Sequence, residues 1–174
     1  IPYRTSYYRS EWGFCLTHDQ YAELQNLSGG FRVLIDTEHF SGSLTYGEVL
    51  IPGKSKREIL ISCYICHPYM ANDGVSGMLV TAFLAKYISS LPTRNWSYRI
   101  IFVPETIGAI TYLHENRARL SHVEAALEIT TIGGPGGFGV KKTWNSDHWL
   151  NDVIEDAFDH RGIPYKDYPF DIHG

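Results

Sequence analysis

Residues 59–66 form a nearly continuous apolar run, and this run restricts the possible folds more than any other segment of the chain. A strand with this pattern is normally covered on both faces, so it predicts the centre of a sheet. The run ends at His67 and Pro68, Asp73 follows after a short loop, and a helical pattern begins at Val75. A strand, a loop and a helix in this order favour chemistry at the carboxyl end of the strand.

Strand-like and helical patterns alternate along the rest of the chain. The predicted strands cover residues 59–66, 98–103 and 125–132, and the predicted helices cover residues 75–91, 106–120 and 147–160. This alternation predicts an α/β fold, a three-layer mixed β-sheet with helices on both faces. Thr17 is the predicted N-cap of an earlier helix, and residues 31–39 and 43–51 predict an antiparallel hairpin.

Apolar residues recur at three- and four-residue steps in the first two helices that follow the central strand. In the helix at 75–91 this pattern predicts a buried stripe, which consists of Val75, Met78, Leu79, Ala82, Phe83, Ala85 and Ile88. In the helix at 106–120 it predicts a buried side of Ile107, Ile110, Leu113 and Leu120.

Size, charge and cysteine content limit the class of protein. The 174 residues suit a single domain, 1–174, although the opening Ile1 and the abrupt end suggest a piece of a longer protein. The net charge is −4 without a basic cluster, so nucleic acid and membrane surfaces are not expected as partners. No apolar stretch approaches the roughly 20 residues that cross a bilayer. The three cysteines and the absence of a signal peptide predict a cytoplasmic location.

His67 and Asp73 are the predicted metal ligands. A neutral imidazole nitrogen and a carboxylate oxygen suit one zinc ion or a two-zinc centre. The alternative is structural, since His67 could cap the strand and Asp73 could cap the following helix.

Glu105 follows the predicted strand at 98–103 and is the predicted catalytic residue. Beside a metal ion its carboxylate could take a proton from water as general base and pass it to a leaving amine. Stabilisation of Glu105 by a helix dipole is the alternative interpretation.

Three further motifs carry no chemistry in this interpretation. Residues 63–67 match the haem attachment pattern C-x-x-C-H, but a strand directs Cys63 and Cys66 to opposite faces. Both are therefore expected to be buried structural cysteines. Gly134, Gly136 and Gly139 match a dinucleotide pattern but precede a predicted strand rather than a helix. Residues 146–148 read Ser-Asp-His, and adjacency does not make a triad, so Ser146 is predicted to cap a helix.

Several of these segments together resemble the bacterial zinc-dependent aminopeptidase-like proteins of the zinc exopeptidase clan, many of which occur with surface-polysaccharide genes. The similar segments are Cys66-His67-Pro68, Ala71-Asn72-Asp73, Ser76-Gly77, Pro104-Glu105-Thr106-Ile107-Gly108, Ile1-Pro2-Tyr3-Arg4, Glu11-Trp12-Gly13 and Ser43-Leu44-Thr45-Tyr46-Gly47-Glu48.

This resemblance implies a phosphorylase/hydrolase-like α/β fold and a metallo-exopeptidase site. His67 matches a zinc-ligating histidine, Asp73 the bridging aspartate and Glu105 the general-base glutamate. The chain departs from the better-known zinc aminopeptidases at Tyr69, which replaces an aspartate, and at Thr106, which replaces a second zinc-ligating glutamate.

The predicted function is therefore a metal-dependent hydrolase, a zinc metallopeptidase of the aminopeptidase type, acting on a peptide or an amide-containing small molecule. Glu48 or Glu128 could supply charge for the amino terminus of a substrate. The alternative is a catalytically inactive α/β binding module that recognises a sugar or amino-sugar derivative, with Tyr7, Tyr8 and Trp12 as a stacking surface.

Overall fold

The computed structural model describes residues 12–67 and 70–171. By the density of contacts the chain divides into two units, Ile1–Ser41 and Gly42–Gly174. In the part that is described, no helix combines the length and the apolar character needed to cross a membrane.

Over residues 12–41, the described part of the first unit, there is one helix, α1, at His18–Asn26. The Thr17 hydroxyl accepts from the Gln20 backbone N–H at 3.1 Å, and the Gln20 side chain accepts from the Thr17 N–H at 3.0 Å. This capping box confirms the predicted N-cap. Trp12 stacks on Phe14 at 6.2 Å, whereas Tyr7 and Tyr8, predicted to share a surface with Trp12, lie outside the described residues.

The prediction of a strand at residues 31–39 is wrong, because this segment has no regular secondary structure. The strand expected to pair with it, at Gly47–Ile51, pairs instead with a strand of the central sheet. Leu34, which a hairpin would have half covered, is 85% exposed.

The described residues of the second unit, 42–67 and 70–171, form six strands and three helices. The strands are Gly47–Ile51 (β1), Glu58–Tyr64 (β2), Ser97–Val103 (β3), Val123–Glu128 (β4), Phe138–Lys141 (β5) and Tyr165–Tyr168 (β6). The helices are Gly77–Ser90 (α2), Ile107–Glu115 (α3) and Trp149–Arg161 (α4), with a π-helical turn at Asn72–Ser76 and a 3-10 turn at Arg119–His122.

The main sheet has the order β1-β3-β2-β4. Strand β1 is antiparallel to β3, whereas β2 is parallel to both β3 and β4. The register aligns Tyr64 with Val103 and Ser62 with Glu128. The carboxyl ends of β2 and β3 are therefore level. Glu128, expected near the middle of its strand, is the last residue of β4.

Helices cover both faces of this sheet, which confirms the predicted three-layer architecture. Ile88 of α2 packs in one buried cluster with Ile100 of β3. Tyr112 of α3 packs in a second cluster with Ile101, the next residue of β3. Because neighbouring strand residues point to opposite faces, the two helices lie on opposite sides of the sheet.

The predicted buried faces of α2 and α3 are largely wrong. Helix α2 buries Gly77, Thr81 and Ile88, while Leu79 and Phe83 are 55% and 67% exposed. A Cβ on Gly77 would lie 2.2 Å from the carbonyl oxygen of Ile129. This close approach buries the Gly77 side of α2, together with Ile88 as predicted, and leaves Leu79 and Phe83 on the exposed side.

Helix α3 shows the same reversal. It buries Gly108 and Tyr112, whereas Ile107, Ile110 and Leu113 are all more than half exposed. Leu120, the fourth residue of the predicted side, lies after α3 and does pack against the second cluster. A Cβ on Gly108 would lie 2.5 Å from the Pro104 ring, so the glycine side of this helix is the one that packs closely.

Strands β5 and β6 form a separate parallel pair joined through α4. Phe158 of α4 contacts the rings of Phe138 and Tyr165 at centroid distances of 5.6 and 5.0 Å. The glycine-rich segment does lead into a strand, as predicted. The N-cap of α4 is His148 and not Ser146, since the His148 ring accepts from the Leu150 N–H at 3.2 Å.

Candidate active site

The level ends of β2 and β3 bring their following loops together. Beyond the last paired residues, the Ile65 N–H donates to the Val103 carbonyl at 2.9 Å, which extends the pairing by one residue. His67 and Glu105 follow directly, one in each loop. The parallel register therefore places them at the same edge of the sheet.

His67 and Glu105 face each other at this edge. His67 Nδ1 lies 3.8 Å from Glu105 Oε2, and the two side chains are 58% and 45% exposed. Cys66 joins them, since the backbone N–H of Glu105 donates to Cys66 Sγ at 3.0 Å. One ligating atom from each of Cys66, His67 and Glu105 lies within 4.8 Å of the others. Within residues 12–67 and 70–171 no other group of three such side chains comes together in this way.

A tight turn between β3 and α3 presents Glu105. The Ile107 N–H donates to the Glu105 carbonyl at 2.6 Å, and Thr106 has a φ of 54°. This left-handed conformation is uncommon for a β-branched residue. The position at which the better-known aminopeptidases carry a second glutamate is therefore part of the turn here.

Asp73 lies in the loop before α2 and bonds to a tyrosine. The Tyr64 hydroxyl donates to Asp73 Oδ1 and accepts from the Thr130 hydroxyl at 2.5 Å. Burial raises the pKa of Tyr64, and the hydrogen bond to Asp73 raises it further. The structure thus brings His67 and Glu105 together with Cys66, while Asp73 is not a member of that three-residue group.

The loop that carries Asp73 is tied to the glycine-rich segment after β4. Asn72 Oδ1 accepts from the Gly133 N–H at 2.7 Å, and the Ile132 N–H donates to the Ser76 hydroxyl at 3.1 Å. A Cβ on Gly134 would meet the Asn72 amide at 3.0 Å. Gly133 and Gly134 therefore allow close packing against the Asp73 loop, whereas Gly139 lies against Tyr168 and Gly136 has open space where a side chain would be.

The two glutamates suggested for substrate charge are both hydrogen-bonded. Ser62 donates to Glu128 across the β2–β4 pair. Glu48 accepts from Arg99 and, at 2.8 Å, from Arg119. A role for either in binding a substrate stays a prediction.

Sequence reasoning missed Cys66 and Tyr64. Cys66 was assigned to a strand, whereas β2 ends at Tyr64 and Cys66 lies in the loop beside His67. Cys63, the other member of the C-x-x-C-H pattern, is fully buried and is a free thiol like Cys66. The position of Cys66 directly before His67 in the sequence was the signal that could have identified it. Pro68 and Tyr69, the next residues, lie outside the described part of the chain.

Comparison with known proteins places the chain in a family. The model of the family described as "Domain of unknown function (DUF4910)" matches residues 16–174. The chain belongs to this family.

A relative from Clostridium acetobutylicum, named "Putative polysaccharide biosynthesis protein with aminopeptidase-like domain", is 42% identical over 165 residues. The alignment covers 95% of this chain and 37% of that protein. The crystal structure of a "putative peptidase" from the same species is 40% identical, with a TM-score of 0.79 over 98% of this chain and 40% of that one. The chain therefore spans less than half the length of either relative.

More distant solved structures share the fold. An Acidobacteriales bacterium glutaminyl cyclase aligns at 18% identity with a TM-score of 0.58, over 73% of this chain and 58% of that chain. A peptidase M28 precursor from Shewanella amazonensis aligns at 17% identity with a TM-score of 0.52, over 69% and 29%. The chain therefore shares its fold with these glutaminyl cyclase and peptidase M28 structures.

Proposed function

We propose that this chain forms the catalytic site of a metal-dependent hydrolase of the aminopeptidase type. The observation that carries the proposal is the meeting of His67 and Glu105, 3.8 Å apart, at the carboxyl ends of two parallel strands. The name of the relative from Clostridium acetobutylicum, which includes an aminopeptidase-like domain, supports the same reaction class. We infer a peptide or an amide-containing small molecule as the substrate.

The residues at this edge of the sheet fit a zinc ion. Sulfur, imidazole nitrogen and carboxylate oxygen are the donors that zinc prefers, and the group Cys66, His67 and Glu105 offers one of each within 4.8 Å. One or two zinc ions would be held by His67 and Asp73. Zinc, when bound, polarises a carbonyl oxygen and makes water more acidic.

Glu105 is the proposed general base. Its carboxylate is 45% exposed and lies beside His67. It can therefore reach both a metal ion bound by His67 and incoming water. In this role it takes a proton from the attacking water and passes it to the nitrogen of the leaving amine as the amide bond breaks. The amine leaves with this proton, the acyl carbon keeps the hydroxyl of the water, and the carboxylate of Glu105 is regenerated.

Asp73 is the proposed second ligand, and Tyr64 is the residue that orients it. The Tyr64 hydroxyl occupies Oδ1 of Asp73, which leaves Oδ2 for a cation. Ligating carboxylates are commonly held in this way by a hydrogen bond from a neighbouring group.

Hydrolysis of an aminoacyl-p-nitroanilide by the purified, zinc-loaded protein tests this proposal. Glu105→Gln keeps the size of the side chain and removes the base, so we expect at least about a hundredfold loss of kcat/KM, the scale of general-base catalysis. Glu115→Gln, at the 70% exposed end of α3, is the matched control and should keep full activity. Equal activity in wild type and Glu105→Gln would contradict the assignment.

A sugar-binding module without catalysis is the second candidate function. It is favoured by the polysaccharide biosynthesis named for the relative from Clostridium acetobutylicum. Binding of an N-acetylated amino sugar to a protein that takes up no zinc from excess would support this candidate. Zinc uptake together with hydrolysis of the nitroanilide would exclude it.

A further inference from the structure

We infer that Cys66 is a sulfur ligand of the metal ion and that the site is therefore selective for thiophilic metals. This inference rests on the metal dependence proposed above and assigns a donor that neither the sequence patterns nor the resemblance supplied. It concerns which ions the site holds and how it responds to thiol reagents.

The position of Cys66 carries the first step of the argument. Its sulfur lies within 4.8 Å of the donor atoms of both His67 and Glu105. In tetrahedral zinc sites, Zn–S and Zn–N bonds of about 2.3 and 2.1 Å place the sulfur and nitrogen donors about 3.6 Å apart. Side-chain movements of about 1 Å or less would thus bring Cys66 and His67 to one ion, with Glu105 beside it.

The hydrogen bond on the sulfur is the second, independent observation. The Glu105 backbone N–H donates to Cys66 Sγ at 3.0 Å. The same bond ties the His67 loop to the Glu105 loop, so it also orients the sulfur towards the cluster.

Exposure separates Cys66 from the two other cysteines. Cys63 is fully buried, Cys15 is exposed and outside any metal-binding group among the described residues, and Cys66 is half-buried at the sheet edge. Cys66 alone combines access from solvent with a neighbouring imidazole and carboxylate. Binding would exchange the thiol proton, released to the buffer, for a metal–sulfur bond.

Titration of the full chain with Co²⁺ and Cd²⁺ alone tests the inference. Both ions give ligand-to-metal charge-transfer absorption when bound by sulfur, and Co²⁺ also gives visible bands that report binding through any ligand. We expect the sulfur bands in the wild type and in Cys15→Ser, and their loss in Cys66→Ser. Removing an orienting partner costs about 10–100-fold in metal affinity, so loss of the ligand should weaken zinc binding by at least about 100-fold.

Alkylation of the wild-type protein supplies a second measurement, which does not depend on whether Cys66→Ser folds. Excess zinc should slow modification of Cys66 by iodoacetamide at least tenfold, as located by mass spectrometry. Cys15 in the same sample is the internal control and should react at an unchanged rate.

The outcomes distinguish this inference from the proposed function. Cobalt bound without a sulfur band, or a sulfur band that survives in Cys66→Ser, would overturn the sulfur ligand and leave the metal site with His67 and Asp73. Absence of any metal binding by the folded wild type would overturn both. Zinc that leaves alkylation of Cys66 unaffected would likewise overturn the inference.

Discussion

Tyr64 and Asp73 are joined by a hydrogen bond from the tyrosine hydroxyl to the carboxylate oxygen Oδ1. Tyr64 ends the central strand β2, and Asp73 lies in the loop that leads to α2. The same hydroxyl accepts from Thr130, which follows β4. One phenol therefore links three segments at the carboxyl edge of the sheet, and the orientation of Asp73 depends on it.

Tyr64→Phe should release Asp73 without changing the packing of the ring. We expect zinc affinity to fall roughly 10–100-fold, because an orienting partner of a ligand is lost. We expect the free energy of unfolding to fall by about 1 kcal/mol. Competition with a chromophoric chelator and urea denaturation measure the two effects. Tyr87→Phe, on the exposed face of α2, is the control, and a zinc affinity equal in both variants would contradict the role of Tyr64.

Burial makes the contribution of Cys63 to stability depend on pH. Burial raises the pKa of the Cys63 thiol to about 11 from an ordinary value of 9.0. Because the neutral thiol is favoured in the folded state, its contribution to stability is complete below pH 9 and is lost as the pH rises through 11. Urea denaturation of the wild type and Cys63→Ala at pH 8 and pH 10.5 measures this. The stability advantage of the wild type should shrink at the higher pH, and a constant difference would contradict the expectation.

The layer order of the fold could be predicted from the sequence, whereas the rotation of its helices could not. The apolar run before His67 predicts a strand buried on both faces, and β2 is such a strand. The orientation of α2 depends on how closely Gly77 approaches the Ile129 carbonyl. That contact joins segments far apart in the chain. A hydrophobic pattern read along one helix therefore favoured Phe83, which is 67% exposed.

The candidate site, too, could be predicted from the sequence only in part. Parallel strands imply that the residues after β2 and β3 share an edge, so the proximity of His67 and Glu105 follows from the strand pattern. The contribution of Cys66 depends on β2 ending at Tyr64, which is a boundary that local propensity does not define. The bond between Tyr64 and Asp73 depends on the kinked turn before α2, in which Gly74 has a φ of 83°.

Gly77→Ala should disturb the sheet edge that carries the site. The added Cβ would lie 2.2 Å from the Ile129 carbonyl oxygen, and a backbone neighbour cannot move aside as a flexible side chain can. We expect the free energy of unfolding to fall by about 1–3 kcal/mol, the usual cost of overpacking. Gly136→Ala, with no atom within 4 Å of its added Cβ, should be close to neutral. Denaturation of both variants measures the difference, and equal stability would show that α2 can shift freely.

Arg99 forms a buried ion pair on the α3 side of the sheet. Its guanidinium donates to Glu58 at 2.6 and 2.8 Å and also to Glu48, and the Glu58 hydrogen bonds raise the pKa of Arg99. Arg99→Met removes the buried cation that pairs with the carboxylates of Glu58 and Glu48. We expect a loss of roughly 3–5 kcal/mol in the free energy of unfolding, since the remaining charge is uncompensated.

Two further variants are compared with Arg99→Met in their free energy of unfolding. Arg57→Met removes the exposed pair with Glu124 and the contact with the Trp96 ring at 4.3 Å, and should cost much less than Arg99→Met. The double variant Arg99→Met, Glu58→Met removes the buried charge together with its main partner and should recover part of the loss. Thermal and urea denaturation of the three variants test the argument. If Arg99→Met cost no more than Arg57→Met, the buried pair would contribute no more than a surface pair, because the charge left on Glu58 would then be compensated by solvent.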